Sequence, residues 1–275
     1  MNLVWAVLII AATTAVAVTV MLLVRRGAPE GSRFRDGDRA SGVFGVLATG
    51  FSVLLGFIVF LAFESYDQSR AGAEAEALVL AQQVETAARL GEPVADRLTG
   101  QLICYGRSVV HVEWPRATEG TLGDQINPWG VELFHTVQAA RLTTPAREAA
   151  YGKWLDQTSD REGARSDRIH GAVGVIPTPL WVVLFFISIV IFVFMLFFAD
   201  SGEGAVTQAV LMGSVASVIV AMLLLIRFLD SPFHEGVGGV KPVAMQRTLR
   251  IIDESLGAAG VRVSPPCDEQ GAPTS

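Results

Sequence analysis

Four long apolar runs without a charged side chain constrain the fold of this chain more than any other feature. About 20 apolar residues, rising about 1.5 Å each, cross a hydrocarbon core about 30 Å thick. Each run is long enough for this, so the sequence predicts four transmembrane helices. They lie within residues 1–24, 43–63, 179–199 and 206–229.

The composition agrees with a protein of the lipid bilayer. Hydrophobic residues make up 51% of the chain and charged residues 17%, against about 25% in an average soluble protein. The net charge of −6 argues against a nucleic acid partner. Arg25 and Arg26 follow the first run and no basic residue precedes it, which indicates a retained anchor. We predict a multi-pass protein of the bacterial inner membrane.

Residues 64–176, between the second and third spans, have helical periodicity interrupted by Gly and Pro. No breaker separates the second span from an apolar seam that steps by four and three residues, so that span is predicted to continue as one helix to about residue 90. Strand-like alternation is absent, and the predicted fold is all-α: four transmembrane helices with a helical soluble block. The seam residues are Ala73, Ala77, Leu80, Val84 and Ala87.

The remaining segments are an Arg-rich loop at 25–42, a turn and short helix at 230–256, and a flexible tail at 257–275. In the turn, Asp230 or Ser231 is expected to act as a cap before Pro232. Trp114-Pro115 is expected to interrupt a helix of the soluble block.

The side of the membrane that the soluble block faces stays open. The loop at 25–42 has five arginines against three acidic residues, which favours a cytoplasmic loop and an external block. Basic residues flanking the spans on the block's side, and the acidic loop at 200–205, favour the reverse. Those basic residues are Arg70, Arg161, Arg165, Arg168, Arg227, Lys241 and Arg247.

Along one face of the second span, the side chains are first small and weakly polar, then aromatic and finally charged. Two interpretations are open: the face packs closely against another helix, or several copies surround an aqueous pore with a phenyl constriction and acidic rings at its mouth. The opposite face is apolar. The stripe consists of Gly45, Thr49, Ser52 and Gly56, followed by Phe60 or Phe63 and by Asp67, Arg70 and Glu74.

The charge-free runs contain no Asp, Glu, Lys or Arg; Glu64, Asp200, Arg227 and Asp230 stand at the span ends. Pumps and proton-coupled carriers generally need an ionisable group within the membrane. Any transport is therefore predicted to be passive.

Several sequence elements together resemble the bestrophin-like family of bacterial membrane proteins, over about residues 1–256. Ser52–Phe57 with Tyr66–Arg70 is similar to the second transmembrane helix of bestrophins. The other elements are Arg25-Arg26, Phe63-Glu64 leading into Glu74–Ala77, Glu113-Trp114, Arg165–Arg168 before Pro179–Trp181, and Leu229–Phe233.

The resemblance implies a pentamer whose second helices line a neck, with the soluble block in the cytoplasm. Two alignments of that helix differ by three residues. Matching Leu-Gly-Phe gives Thr49, Val53 and Phe57 as neck residues. Matching Tyr-Asp gives Ser52, Gly56 and Phe60, which coincide with the small-residue face and are preferred here.

The chain also departs from the family pattern. A paired Trp is replaced by Gln68 and Ser69, which predicts a wider neck. The acidic cluster that holds calcium in eukaryotic members has no counterpart beyond Asp268-Glu269, so no calcium site is predicted. Eukaryotic members conduct anions, whereas rings of Glu64 and Asp67 would favour cations.

No enzyme, cofactor or metal site is predicted. The four histidines are scattered without ligand spacing, and no nucleotide-binding or hydrolase motif is present. Cys104 and Cys267 are expected to be ordinary small side chains. Charged residues at 160–168 are expected to form a solvated helix face, or Arg165 and Arg168 to meet Glu64 or Asp67. The leading hypothesis is an ion channel; the alternative is a non-conducting scaffold or sensor whose soluble block binds a partner protein.

Overall fold

The computed structural model describes residues 3–31, 33, 34, 36–121 and 126–274, so Arg35 of the Arg-rich loop lies outside it. The described residues contain no β-strand, only an isolated bridge between Cys267 and Pro273. The helices are α1 (Leu3–Arg26), α2 (Gly37–Leu90), α3 (Val94–Ser108), α4 (Trp114–Thr118), α5 (Pro128–Gln138), α6 (Pro145–His170), α7 (Thr178–Phe197), α8 (Ala205–Leu229) and α9 (Val243–Ala258).

Four helices, α1, α2, α7 and α8, are long and apolar enough to cross a membrane. Helix α2 has 54 residues and continues past its apolar run without a break, as the sequence predicts. It ends at Leu90 because Gly91 follows with φ +83°, a left-handed conformation that glycine adopts readily.

The chain divides into two compact units. The membrane unit comprises Met1–Ser65 and Gly174–Asp230. In it, α1 packs on α8, where a Cβ on Gly213 would lie 3.3 Å from Val18 Cγ2, so the missing side chain permits close approach. The apolar face of α2 packs against α7 and α8; its buried residues there are Phe51, Leu55 and Ile58 from α2, Leu184 and Ile191 from α7, and Leu223 and Ile226 from α8.

Asp230 is the C-cap residue of α8, as predicted, and its side chain has a further role. Its Oδ1 accepts hydrogen bonds from the backbone N–H groups of Val175 and Ile176, at 2.7 and 3.0 Å. An ionised carboxylate accepts hydrogen bonds more strongly than a neutral oxygen does. These two bonds therefore hold the backbone in place just before α7.

The soluble unit comprises Tyr66–Val173 and Ser231–Ser275. The predicted seam of α2 is confirmed, since four of its residues are buried in the core of this unit and Val84 packs against it. Helices α3, α4, α5, α6 and α9 supply most of the rest of the core, together with Val109, Val110, Phe233, Val240 and Cys267. Helix α6 crosses α2 closely, because a Cβ on Gly72 would come within 2.4 Å of the backbone nitrogen of Arg168.

Trp114-Pro115 does not interrupt the helix as expected. A π-helical turn, Val109–Glu113, joins α3 to α4, and Pro115 lies in the first turn of α4. Proline lacks a backbone donor and is tolerated in a first turn, so the helical path continues through it.

Part of the segment predicted as a flexible tail packs against α3, where Gly100 faces Pro265 and Pro266. Cys104 and Cys267 form a disulfide, contrary to the expectation of two ordinary small side chains. Trp129 Nε1 donates to the carbonyl of Gly271 at 2.7 Å. The sequence separation of 163 between the two cysteines explains why their spacing did not indicate a disulfide.

Candidate functional site: the exposed face of α2 and a buried charge network

The predicted stripe of small residues on α2 is exposed in the membrane unit. Gly45, Thr49, Ser52 and Gly56 are all exposed, and a Cβ built on Gly45 or Gly56 meets nothing within 4 Å. The opposite face is occupied by α7 and α8. The stripe therefore takes no part in helix packing within one protomer.

Ser52 lies near the middle of the stripe and has a polar side chain. Its hydroxyl donates a hydrogen bond to the carbonyl of Ala48 at 2.9 Å, so its only proton is used within the helix. The oxygen of Ser52 still has acceptor capacity on the exposed face.

Both alternative registers fall in the same exposed half of α2. At about 100° per residue their side chains spread over less than half of the helix circumference. Three bulky members, Val53, Phe57 and Phe60, are 55%, 66% and 62% exposed. The burial pattern does not separate the two registers, which are Thr49, Val53 and Phe57 in one and Ser52, Gly56 and Phe60 in the other.

Acidic residues follow the aromatic positions on this helix. Glu64 and Asp67 are both exposed. Further along, Arg70 Nε lies 3.4 Å from Glu74 Oε1 in a solvated pair with side chains 62% and 64% exposed. The small, aromatic and charged side chains thus follow one another along α2 in the predicted order, and they are exposed.

A second feature, which the sequence did not reveal, is a charge network buried in the soluble unit. Arg168 has a fully buried side chain and contacts two carboxylates: its Nε lies 2.5 Å from Glu76 Oε2, and its Nη2 lies 2.5 Å from Glu113 Oε2. Arg165 Nε is 3.4 Å from the same Glu113 oxygen. Two arginines therefore balance two carboxylates away from water.

Neutral groups add hydrogen bonds to the network. The hydroxyl of Tyr105 donates to Glu76 Oε1 at 2.6 Å, and the amide of Asn127 donates to Glu113 Oε1 at 2.8 Å. The guanidinium of Arg168 also lies 5.4 Å from the ring centre of Trp114. These contacts compensate part of the cost of removing the charges from water.

The prediction of a solvated helix face is confirmed for Asp160, Glu162 and Asp167, which are exposed, but it is wrong for two of the arginines. Arg161 and Arg168 are buried, with 1% and 0% exposure, and do not belong to a solvated face. Arg165 and Arg168 pair with Glu113, and Arg168 also pairs with Glu76. One sequence signal was available: Glu76 lies on the apolar seam between Ala73 and Ala77, where a buried carboxylate requires a cationic partner.

The ionisation of the network follows from burial and charge. For Glu113, burial raises the pKa, but attraction to Arg168 and Arg165 outweighs burial and the pKa is lowered. For Arg168, burial lowers the pKa, and the carboxylates of Glu76 and Glu113 reverse this to a net raised pKa. Burial raises the pKa of Tyr105, which keeps its hydroxyl as a donor.

We expect the protein to lose stability as pH falls below about 4.5, the ordinary pKa of a Glu side chain. Because the pKa of Glu113 is lower in the folded state, the unfolded chain binds the proton more readily in that range. The free energy of unfolding therefore decreases until the pH passes the folded-state pKa. The unfolding midpoint of the full-length protein in detergent, followed by tryptophan fluorescence from about pH 7 to about pH 3, measures this.

Glu113→Gln removes this titrating group, and its unfolding midpoint is expected to depend less steeply on acid pH than that of the unchanged protein. The control is Glu74→Gln, which alters an exposed pair and should leave the slope intact. Equal acid slopes for Glu113→Gln and the unchanged chain would contradict the assignment.

The comparison with known families decides the identity of this architecture. The family model described as the Bestrophin-like domain matches residues 3–245. This chain belongs to the Bestrophin-like family. A comparison of this bestrophin-like chain with curated proteins found no match.

Solved structures share its fold. A bacterial bestrophin homologue from Klebsiella pneumoniae is 14% identical with a TM-score of 0.67, covering 95% of this chain and 100% of that chain. A single-substitution variant of a Klebsiella pneumoniae homologue is 14% identical with a TM-score of 0.67, covering 92% and 98%. A membrane protein that carries one amino-acid substitution is 12% identical to this chain with a TM-score of 0.67; the match covers 95% of this chain and 100% of that chain. At such identities the likeness is one of fold.

Proposed function

We propose that this bestrophin-like protein is a subunit of a homo-oligomeric ion channel that conducts small inorganic ions passively across the bacterial inner membrane. The observation that carries the proposal is the free stripe on α2. Its small residues are exposed although the other face of the same helix is packed against α7 and α8. Copies of α2 arranged around an axis, five by family analogy, would enclose an aqueous lumen.

Passive conduction is the transport class that the residues support. The four apolar runs contain no ionisable side chain that could bind and release a driving ion. Membership of the Bestrophin-like family adds general support for a channel. Phe60, or Phe57 in the alternative register, would narrow the lumen, and Glu64 and Asp67 would draw cations to its mouth.

Electrical recording from the purified full-length protein in planar bilayers tests this function. We expect discrete current steps, and in a potassium chloride gradient a reversal potential displaced toward the potassium equilibrium value. A flat trace at all voltages from protein shown to be oligomeric would contradict the channel and favour a scaffold or sensor.

The two registers predict different phenylalanine phenotypes. Phe60→Ala is expected to raise the single-channel conductance or the open probability, since it removes the ring that narrows the lumen. Phe57→Ala is the matched control, because its ring has nearly the same exposure. If Phe57→Ala alone changes the current, the register of Thr49, Val53 and Phe57 replaces the preferred one.

A further inference from the structure

The C-terminal tail is fastened to the soluble unit at several points. Cys267 bonds to Cys104 of α3, and Arg107 Nη1 donates to the carbonyl of Asp268 at 3.0 Å. Gly271 has φ +84°, and a Cβ there would lie 2.5 Å from the backbone nitrogen of Ser108. The surrounding fold thus holds the two sulfur atoms together, independently of the bond between them.

Both cysteines are oxidised and buried, and they are the only cysteines of the chain. Disulfides persist in oxidising compartments, whereas the cytosol keeps thiols reduced in most bacteria. A structural disulfide in the soluble unit therefore indicates that this unit lies outside the cytoplasm.

The charge distribution supports the same side once the lengths of the segments are considered. The positive-inside rule counts Lys and Arg in short loops, while segments longer than about 60 residues cross largely regardless of charge, and acidic residues count little. Tyr66–Val173 is far longer than that limit. The decisive short segment, residues 25–42, runs from the end of α1 to the start of α2 and carries Arg25, Arg26, Arg33, Arg35 and Arg39.

The structure also explains three of the basic residues that favoured the opposite side. Arg161 and Arg168 are buried in the soluble unit, and Arg165 has a side chain only 12% exposed beside Glu113. Arg165 and Arg168 belong to the charge network, and Arg161 donates to Gln83 Oε1 at 2.9 Å, so folding alone accounts for the presence of the three arginines near the third span. The acidic loop before α8 is likewise engaged, since Asp200 accepts from the backbone N–H groups of Gly31 and Gly202.

We propose that the soluble unit lies on the oxidising, non-cytoplasmic side of the membrane, with both chain termini on that side, opposite to the orientation that the bestrophin resemblance implies. There the thiols of Cys104 and Cys267 lose two protons and two electrons to the disulfide of an envelope thiol oxidase, which is reduced to a dithiol. The new bond fastens the tail to α3.

Thiol trapping of the unchanged protein tests the oxidation state. Cells are quenched with acid, and denatured protein is treated with polyethylene glycol maleimide, with and without prior reduction. We expect no gel shift before reduction and the shift of two added polymers after it. In a host that lacks the envelope oxidase, both polymers should add without reduction. Free thiols in the oxidase-containing host would overturn the proposal.

A small membrane-impermeant maleimide tests the side directly. Glu119→Cys places a thiol at an exposed position after α4, and Glu30→Cys places one in the short loop after α1. The native cysteines stay in place, and the unchanged chain measures background labelling. We expect Glu119→Cys to react in intact cells and Glu30→Cys only after permeabilisation. The reverse pattern would overturn the proposal, whether or not the protein conducts ions.

Discussion

Ser52→Trp is expected to abolish or nearly abolish the ionic current. In the proposed oligomer the substitution introduces one indole ring per subunit at the same level of the lumen. Small side chains are what keep the lumen open at that level, and several rings would fill it. The measurement is the current per reconstituted oligomer in planar bilayers, with protein amount and oligomeric state checked for each variant.

Ser214→Trp is the matched control for this substitution. Ser214 is an exposed serine in the middle of α8, and its hydroxyl donates to the carbonyl of Leu211 at 2.9 Å, much as Ser52 donates to Ala48. The same change of side chain on α8 should leave the current nearly unchanged. Equal loss of current from both variants would show that the effect is not specific to the α2 face.

Arg168→Met is expected to cause a large loss of stability in the soluble unit. Removing one partner of a buried ion pair leaves an uncompensated charge, which costs about 3–5 kcal/mol. Here the carboxylates of Glu76 and Glu113 would both lose their contact with Arg168. For a chain of this size the unfolding midpoint should fall on the order of 10 °C.

An exposed ion pair of the same composition provides the control. Arg70 and Glu74 are largely solvated, and exposed pairs contribute about 0–1 kcal/mol, so Arg70→Met should change the midpoint little. Both variants are measured as full-length protein in the same detergent. Similar midpoints for the two variants would mean that the network contributes no more than a surface pair.

The fold was largely predictable because its main determinants are local. Charge-free runs of about 20 residues identify spans without knowledge of neighbours. The seam at Ala73, Ala77 and Leu80 likewise showed which face of α2 would be buried, because helical periodicity is a property of one segment. The exposed stripe containing Ser52 was recognisable for the same reason.

The two largest features that sequence reasoning missed are long-range. Cys104 and Cys267 are 163 residues apart, and no local pattern distinguishes a cysteine that will meet a distant partner from one that will not. Glu76 and Arg168 are separated by 92 residues, and in isolation the segment around Arg168 has the alternating charges of a solvated helix. Only the packing of α6 on α2, at Gly72, brings the pair together.

The candidate site is limited by a different kind of missing information. Exposure of Ser52, Phe57 and Phe60 in one protomer is a property of that protomer, whereas a pore is a property of the assembly. Both sets of candidate neck residues lie on the same exposed half of α2. Which set faces the lumen would depend on how the neighbouring copies pack.

The central claim, that the exposed stripe of α2 borders water on the conduction path, is tested most directly by Ser52→Cys. The native cysteines are joined to each other, so the introduced thiol is the reactive one. A charged, water-soluble methanethiosulfonate reagent applied during bilayer recording should reduce the current irreversibly in Ser52→Cys and leave Ser214→Cys conducting. A current from Ser52→Cys that is unaffected by the reagent, or equal block of the two variants, would contradict the claim.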